Sequence, residues 1–300
     1  MQMLLNFNAT IIEQLTYDFQ MMRSKAIADR MRILCWICTS ATTQHSKAMH
    51  VKATWGRRCD KLVFISEVED NELPAVKVRS FGSKDGLWVK TIQAFKYIYN
   101  EFGNDYDWFL KADDDTYVIM ENLRKLLLPY KPQDPEYLGM HMKDIAPQGY
   151  ATGAAYVLSQ EALKRLVTKA FEAKSAECPM LTNLIYEDVL LAQCLNMVGV
   201  YPGETRDSNG HYRFFHFDVE TYVIGNMTAI GDWYWVRVKW PHNEEHDHRT
   251  KHPIAFHHMS PDQIYLMEYF LYNFNIYGVK DLQVVEETTK KDVLLFTERQ

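Results

Sequence analysis

Three consecutive aspartates, Asp113, Asp114 and Asp115, follow the apolar run Trp108-Phe109-Leu110-Lys111-Ala112. Carboxylates crowded at the end of a buried strand repel one another, so without a cation one must rise in pKa or stay well solvated. A divalent metal removes the conflict. In extended geometry alternate residues point to one side, which makes Asp113 and Asp115 the ligand pair and turns Asp114 away. Hard oxygen donors of this kind suit Mg²⁺ or Mn²⁺, with a substrate diphosphate completing the shell. On composition alone a solvated acidic turn is an equal reading. Placement at the carboxyl edge of a sheet, where α/β folds bind ligands, favours the metal.

Other residues carry chemistry with less specificity. Glu187 and Asp188 open a helix, where an ionised carboxylate is favoured by the N-terminal dipole, as first-turn acids are in many helices. The segment His242 to His258 is histidine-rich, and its imidazoles read by themselves as packed or surface groups. Trp233, Tyr234 and Trp235 are either core or a face for sugar rings; on a strand the two indoles would share one side and Tyr234 would take the other. Lys111 is either a solvated strand-end lysine or a neighbour of phosphate. Five cysteines, Cys35, Cys38, Cys59, Cys178 and Cys194, permit two disulfides and one thiol, or none. The Cys35/Cys38 spacing lies in an apolar run, and no second pair completes a zinc site.

These residues need elements to hold them. Met31 to Cys38, Leu62 to Ile65 and Ala75 to Val78 read as strands, with a helix from Gln44 to Arg58 between the first two. Leu87 to Phe102 has helical spacing and ends at Gly103, and Trp108 to Ala112 is a buried strand running into the aspartates. Met120 to Leu128 is helical. Strands are expected at Tyr137 to Met140 and Ala154 to Leu158, around a turn at Gln148 to Gly153. Ser159 caps a helix from Gln160 to Phe171, and further helices run from Tyr186 to Val198 and from Pro261 to Phe274. Alternating strands and helices indicate an α/β fold with a mostly parallel central sheet flanked by helices.

The 300 residues are 47% hydrophobic and 24% charged, which excludes a disordered chain. A net charge of −6 argues against a nucleic-acid partner, so any phosphate is held locally. No stretch approaches the roughly 20 apolar residues that cross a bilayer, and the first thirty residues lack the order of a secretory signal. The triplets Asn8-Ala9-Thr10 and Asn226-Met227-Thr228 would accept glycans in a secretory compartment.

The segment Trp108 to Val118 resembles the DxD segment of the beta-1,3-glycosyltransferases, most closely their core 1 galactosyltransferase branch. His50-Val51-Lys52-Ala53-Thr54-Trp55, Gln148-Gly149-Tyr150, Tyr156 to Arg165, Glu187-Asp188, Trp233-Tyr234-Trp235 and Ala255-Phe256-His257 follow in family order and near-family spacing. The resemblance covers Arg32 to Gly278. It implies a GT-A fold and an inverting transfer of galactose from UDP-galactose to the 3-OH of O-linked GalNAc on a glycoprotein acceptor. It implies Mn²⁺ held by Asp113, Asp115 and His257, with His257 preferred to His258. Asp188 takes the position of the catalytic base, which an attacking hydroxyl requires. Lys111 and Asp114 fall on the donor side; Trp233, Trp235, Glu187 and Tyr150 fall on the acceptor side.

Family members are type II Golgi membrane proteins, so the Golgi lumen is the expected compartment, although no anchor is visible in this chain. In such a lumen Cys35 should pair with Cys59 and Cys178 with Cys194, leaving Cys38 reduced. The expected organisation is an N-terminal extension over 1–31, the transferase domain over 32–278 and a charged tail over 279–300, with a homodimer left open. Two departures from the family stand out: the GGAGY turn, on the acceptor side, reads Thr152-Gly153-Ala154-Ala155-Tyr156, and the cysteine pair usual before the late histidine is absent. A related transferase with another acceptor and a non-catalytic chaperone-like or lectin-like homologue are the alternative readings; the intact aspartates argue against the latter.

Overall fold

A computed structural model describes residues 26–79, 86–143, 145–180, 186–224, 230–240 and 249–274. Both glycan triplets, the charged tail, most of the N-terminal extension and residues 241–248 lie outside the described residues. The chain forms two compact units, residues 31–267 and a second made of residues 1–30 with 268–300. In the second, the described structure is a helical turn at 26–28 and the end of the helix Pro261–Tyr272.

The larger unit is built on a six-stranded sheet of order β3-β2-β1-β4-β7-β6. Its strands are β1 (Ile33–Cys38), β2 (Lys61–Ser66), β3 (Ala75–Lys77), β4 (Trp108–Asp113), β6 (Tyr137–Met142) and β7 (Tyr150–Ser159). The first four run parallel, and β7 is antiparallel to both β4 and β6. This is the mixed α/β architecture with a mostly parallel sheet that the residue pattern indicates. Every residue of β1 is buried, because a central parallel strand is covered on both faces. The helix Leu87–Phe102 lays Trp88, Ile92, Phe95 and Ile98 on the core, with Phe95 edge-on to Trp36 at 5.2 Å.

Two pieces form differently from expectation. Gln44 to Arg58 is not one helix but a π-helical turn (Gln44–Ala48), an α-helical turn (Met49–Ala53) and a 3₁₀ turn (Trp55–Arg58). The break is at Thr54, with φ −118° and ψ −117°, where the hydroxyl donates to the His50 carbonyl at 2.7 Å. Beyond it the Trp55 indole donates to the Thr116 carbonyl at 2.8 Å and pins the chain to the acidic loop. The glycine-bearing stretch expected as a turn is mostly strand: β7 starts at Tyr150, opposite Met142. Glycine there serves close approach. A Cβ on Gly139 would stand 2.7 Å from the Ala151 Cβ, and Gly149 turns the chain at φ +80°.

Cys35 pairs with Cys59 and Cys178 with Cys194, and Cys38 is a buried free thiol that burial pushes up to about 12. The second bridge ties the segment before the helix Glu187–Met197 to that helix's last turns. Its 16-residue separation is worth about 3 kcal/mol in the chain-entropy model. Replacing both Cys178 and Cys194 by Ser should therefore lower the unfolding free energy in urea by about 2–4 kcal/mol. A change under about 0.5 kcal/mol would show that the bridge constrains nothing. Among the described residues no helix is long and apolar enough to cross a membrane.

Candidate metal and base site

The carboxyl ends of β1 and β4 lie level, with Cys38 opposite Asp113. The residues just beyond therefore meet, and the Thr39 hydroxyl donates to Asp114 Oδ2 at 2.8 Å. Asp114 is buried, and burial raises its pKa. Asp113 and Asp115 face a different partner. A two-stranded sheet pairs β5 (Tyr117–Val118) with β8 (Ala255–Phe256) in antiparallel register, Tyr117 opposite Phe256. One step further along that register brings His257 beside the acidic loop, where Met259 N–H donates to the Asp115 carbonyl at 2.9 Å. His257 Nε2 then lies 3.4 Å from Asp113 Oδ2 and 3.2 Å from Asp115 Oδ1.

One donor atom from each of Asp113, Asp115 and His257 lies within 4.8 Å of the others. Two carboxylates and an imidazole form a set suited to a divalent cation of the Mg²⁺ or Mn²⁺ type. The balance of charge points the same way. Burial pushes His257 down, but hydrogen bonds and charge from Asp113 and Asp115 outweigh it and raise the imidazole to about 9. Asp115 rises on burial yet is held well below the usual carboxylate range by His257 and by Lys47, whose ammonium donates to Oδ2 at 2.9 Å. In this arrangement a proton on His257 occupies the place where a cation would satisfy both acids. The buried His257 Nδ1 has no partner among the described residues.

His258 is exposed, stacks on His257 at 3.8 Å and adopts φ +56°, turning the chain away. A second set of donors, His216, His257 and His258, also falls within 4.8 Å. His216 arrives because residues 213–217 run beside 254–257, with His257 N–H donating to the Phe217 carbonyl at 3.1 Å. Neither His216 nor Lys47 carries a local signal in the sequence. Each reaches the site through pairing between distant segments.

On the other flank, β7 lies against β4 with Lys111 opposite Tyr156. Lys111 is buried, and its ammonium donates to Asp113 Oδ1 at 2.7 Å and to the Gly153 carbonyl. Burial disfavours this charge, but Asp113 and Glu187 more than offset that and hold its pKa above the usual lysine range. Asp188, in the first turn of its helix, accepts from Gly153 N–H at 3.0 Å and from Val189 N–H at 2.9 Å. Burial raises its pKa against those two bonds. The acid can thus take a proton while its oxygens are oriented by backbone donors.

Glu187 is buried and accepts from the Tyr156 hydroxyl at 2.8 Å. Burial, opposed by Lys111, raises it to about 7. A carboxyl with a raised folded pKa contributes stability below its unfolded value of 4.5, lost as pH rises through about 7. Glu187→Gln keeps the acceptor for Tyr156 and removes the charge. It should match the parent in thermal unfolding below pH 4.5 and exceed it by roughly 1–3 kcal/mol near pH 8. Equal stability at both pH values would mean that the charge is not confined.

The tryptophans sit on a helix, Asp232–Arg237, so the strand alternation considered from the sequence does not apply. Residues two apart on a helix point to roughly opposite sides. Trp233 is exposed and lies edge-on to His216 at 5.3 Å, on the side of the histidines, whereas Trp235 is half-buried against Tyr234 at 5.2 Å. Tyr150 is buried at the start of β7. At the departures from the family turn, the Thr152 hydroxyl is buried without a partner among the described residues, and Ala155 is buried in the ladder.

A family model described as Fringe-like matches residues 29–208. Over 257 residues the chain is 37% identical to the Xenopus laevis glycoprotein-N-acetylgalactosamine 3-beta-galactosyltransferase 1, covering 85% of this chain and 70% of that protein. It is 27% identical over 154 residues to a mouse beta-1,3-glucosyltransferase, covering 50% of this chain and 30% of the relative. It is 29% identical over 145 residues to a human chondroitin sulfate glucuronyltransferase, covering 47% of this chain and 19% of the relative.

Proposed function

Because the chain belongs to the Fringe-like family of glycosyltransferases, we propose that it transfers galactose from UDP-galactose to the 3-OH of O-linked GalNAc on glycoproteins. The observation that carries this reading is the convergence of Asp113, Asp115, His257 and Asp188 on one edge of the sheet, joined through Lys111 and Gly153. Asp113, Asp115 and His257 would hold Mn²⁺, and the bound cation would stabilise charge on the departing diphosphate.

Asp188 removes the proton from the acceptor hydroxyl as its oxygen attacks the anomeric carbon from the side opposite UDP, so the new bond is β. Gly153 N–H and Val189 N–H keep the carboxylate aimed, and its raised pKa makes it a better proton acceptor than a solvated aspartate. The exposed indole of Trp233 offers a face to the acceptor sugar, with Trp235, Glu187 and Tyr150 in support. The two disulfides agree with an oxidising compartment, and the Golgi lumen is the one we assign.

The test is UDP release and product linkage from UDP-galactose with Mn²⁺ over a panel of acceptors, including GalNAc-peptides. A β1,3 product on GalNAc-peptide supports the assignment. Turnover only on another acceptor would tie the specificity to the Thr152 and Ala155 substitutions, and no turnover on any acceptor with intact UDP binding would make the chain a binder.

A further inference from the structure

Lys111 is a buried charge bonded to a side chain and a backbone carbonyl of the site. Its side chain is 3% exposed, its ammonium donates to Asp113 Oδ1 at 2.7 Å and to the Gly153 carbonyl, and it lies 5.6 Å from the centre of the Tyr156 ring. The Gly153 backbone is held on the other side of its Cα as well, because its N–H donates to Asp188 Oδ2 at 3.0 Å. An unbroken path therefore runs from Asp113 through the ammonium and the backbone of one residue, Gly153, to Asp188. This backbone is also closely surrounded: a Cβ on Gly153 would stand 3.4 Å from Glu187 Oε2, 3.7 Å from Asp188 Cβ and 3.7 Å from Lys111 Nζ.

We propose that Lys111 is a positioning residue that sets the base Asp188 relative to the metal-binding carboxylate Asp113, acting through the backbone of Gly153. The physical reason is the cost of leaving buried charges uncompensated, which makes the ammonium hold Asp113 and the Gly153 carbonyl at fixed separation. Asp188 hangs on the N–H of the same residue through a charge-assisted bond, so its direction follows from where Lys111 holds the Gly153 backbone. The proposal rests on the reading of Asp188 as base.

The test uses the full chain with UDP-galactose, GalNAc-peptide and Mn²⁺, comparing Lys111→Met, Lys111→Arg, Gly153→Ala and Asp188→Asn. For each, kcat is measured at saturating donor and acceptor, and UDP affinity in Mn²⁺ is measured by calorimetry without turnover. Lys111→Met should lower kcat by about 10–100-fold, the scale for residues that support a directly acting group. Its UDP affinity should stay within about threefold or tighten, because Asp113 loses a competing cation. Lys111→Arg, which restores the charge and two donors, should recover part of kcat. Gly153→Ala puts a methyl at ordinary contact distance among the three side chains and should lower kcat in the same direction without weakening UDP binding.

Parent-level kcat in Lys111→Met overturns the proposal, as does a fall in UDP affinity equal to the fall in kcat/KM, which would make Lys111 a donor-binding residue. If Lys111→Met does not fold, parent-level kcat in Gly153→Ala overturns it. Asp188→Asn separates the two readings: full transfer in that variant removes the base, whatever Lys111 does. Lost transfer in Asp188→Asn beside unchanged kcat in the Lys111 and Gly153 variants removes only the positioning role.

Discussion

Asp115→Asn should abolish Mn²⁺-dependent binding of UDP while the protein stays folded. The substitution keeps the size of the side chain but removes its charge and replaces by NH2 one of the two oxygens, of which one faces His257 at 3.2 Å and the other accepts from Lys47 at 2.9 Å. Losing a ligand from a three-residue set should cost more than the 10–100-fold typical of an outer-shell partner, so calorimetry should show a loss of at least about 100-fold. Unchanged affinity with and without EDTA would remove the metal assignment. His257→Ala should weaken binding in the same direction and His258→Ala much less, because only His257 reaches both aspartates. Equal effects would transfer the role to the set containing His216 and His258.

The pH dependence has a definite sign. In the metal-free protein His257 holds its proton up to about pH 9, and a cation must displace it. Apparent metal affinity should therefore rise with pH, by up to about tenfold per unit, and level off near pH 9.

Asp188→Asn should bind UDP-galactose as the parent does and lose transfer by about 10²–10⁴-fold, the range for removing a general base. The amide oxygen can keep one of the two bonds, from Gly153 N–H or from Val189 N–H, while its NH2 cannot accept the other, so most of the helix start should be preserved. Metal-dependent hydrolysis of the donor should persist at a low rate, since water needs no acceptor site. Loss of donor binding in this variant would instead make Asp188 a structural acid of the helix N-terminus.

The strands and the long helices were legible because their periodicity is local. β1, β2 and β4 are short apolar runs, Leu87–Phe102 keeps helical spacing to its terminal Gly103, and Ser159 caps its helix by accepting from Ala162 N–H at 3.1 Å. The pieces that differed are those where a distant partner outweighs local pattern. The expected helix breaks at Thr54 and Trp55 bonds the loop at Thr116, and β6 recruits the glycine-bearing stretch into β7.

By itself the sequence determined which acids stand at the end of β4 and which open the helix Glu187–Met197, because adjacency along the chain puts them there. It also carried the cysteine pairing implied by the family resemblance, which the two bridges match. Only the tertiary structure decided what surrounds those acids. His257 stands beside Asp115 because β5 pairs with β8 from 139 positions further along the register, Tyr117 with Phe256. Lys47, His216 and the Lys111–Gly153–Asp188 path depend likewise on contacts between separate elements. Strand register across such separations is set by packing of whole faces and by long-range hydrogen bonds, neither of which a local run of residues encodes.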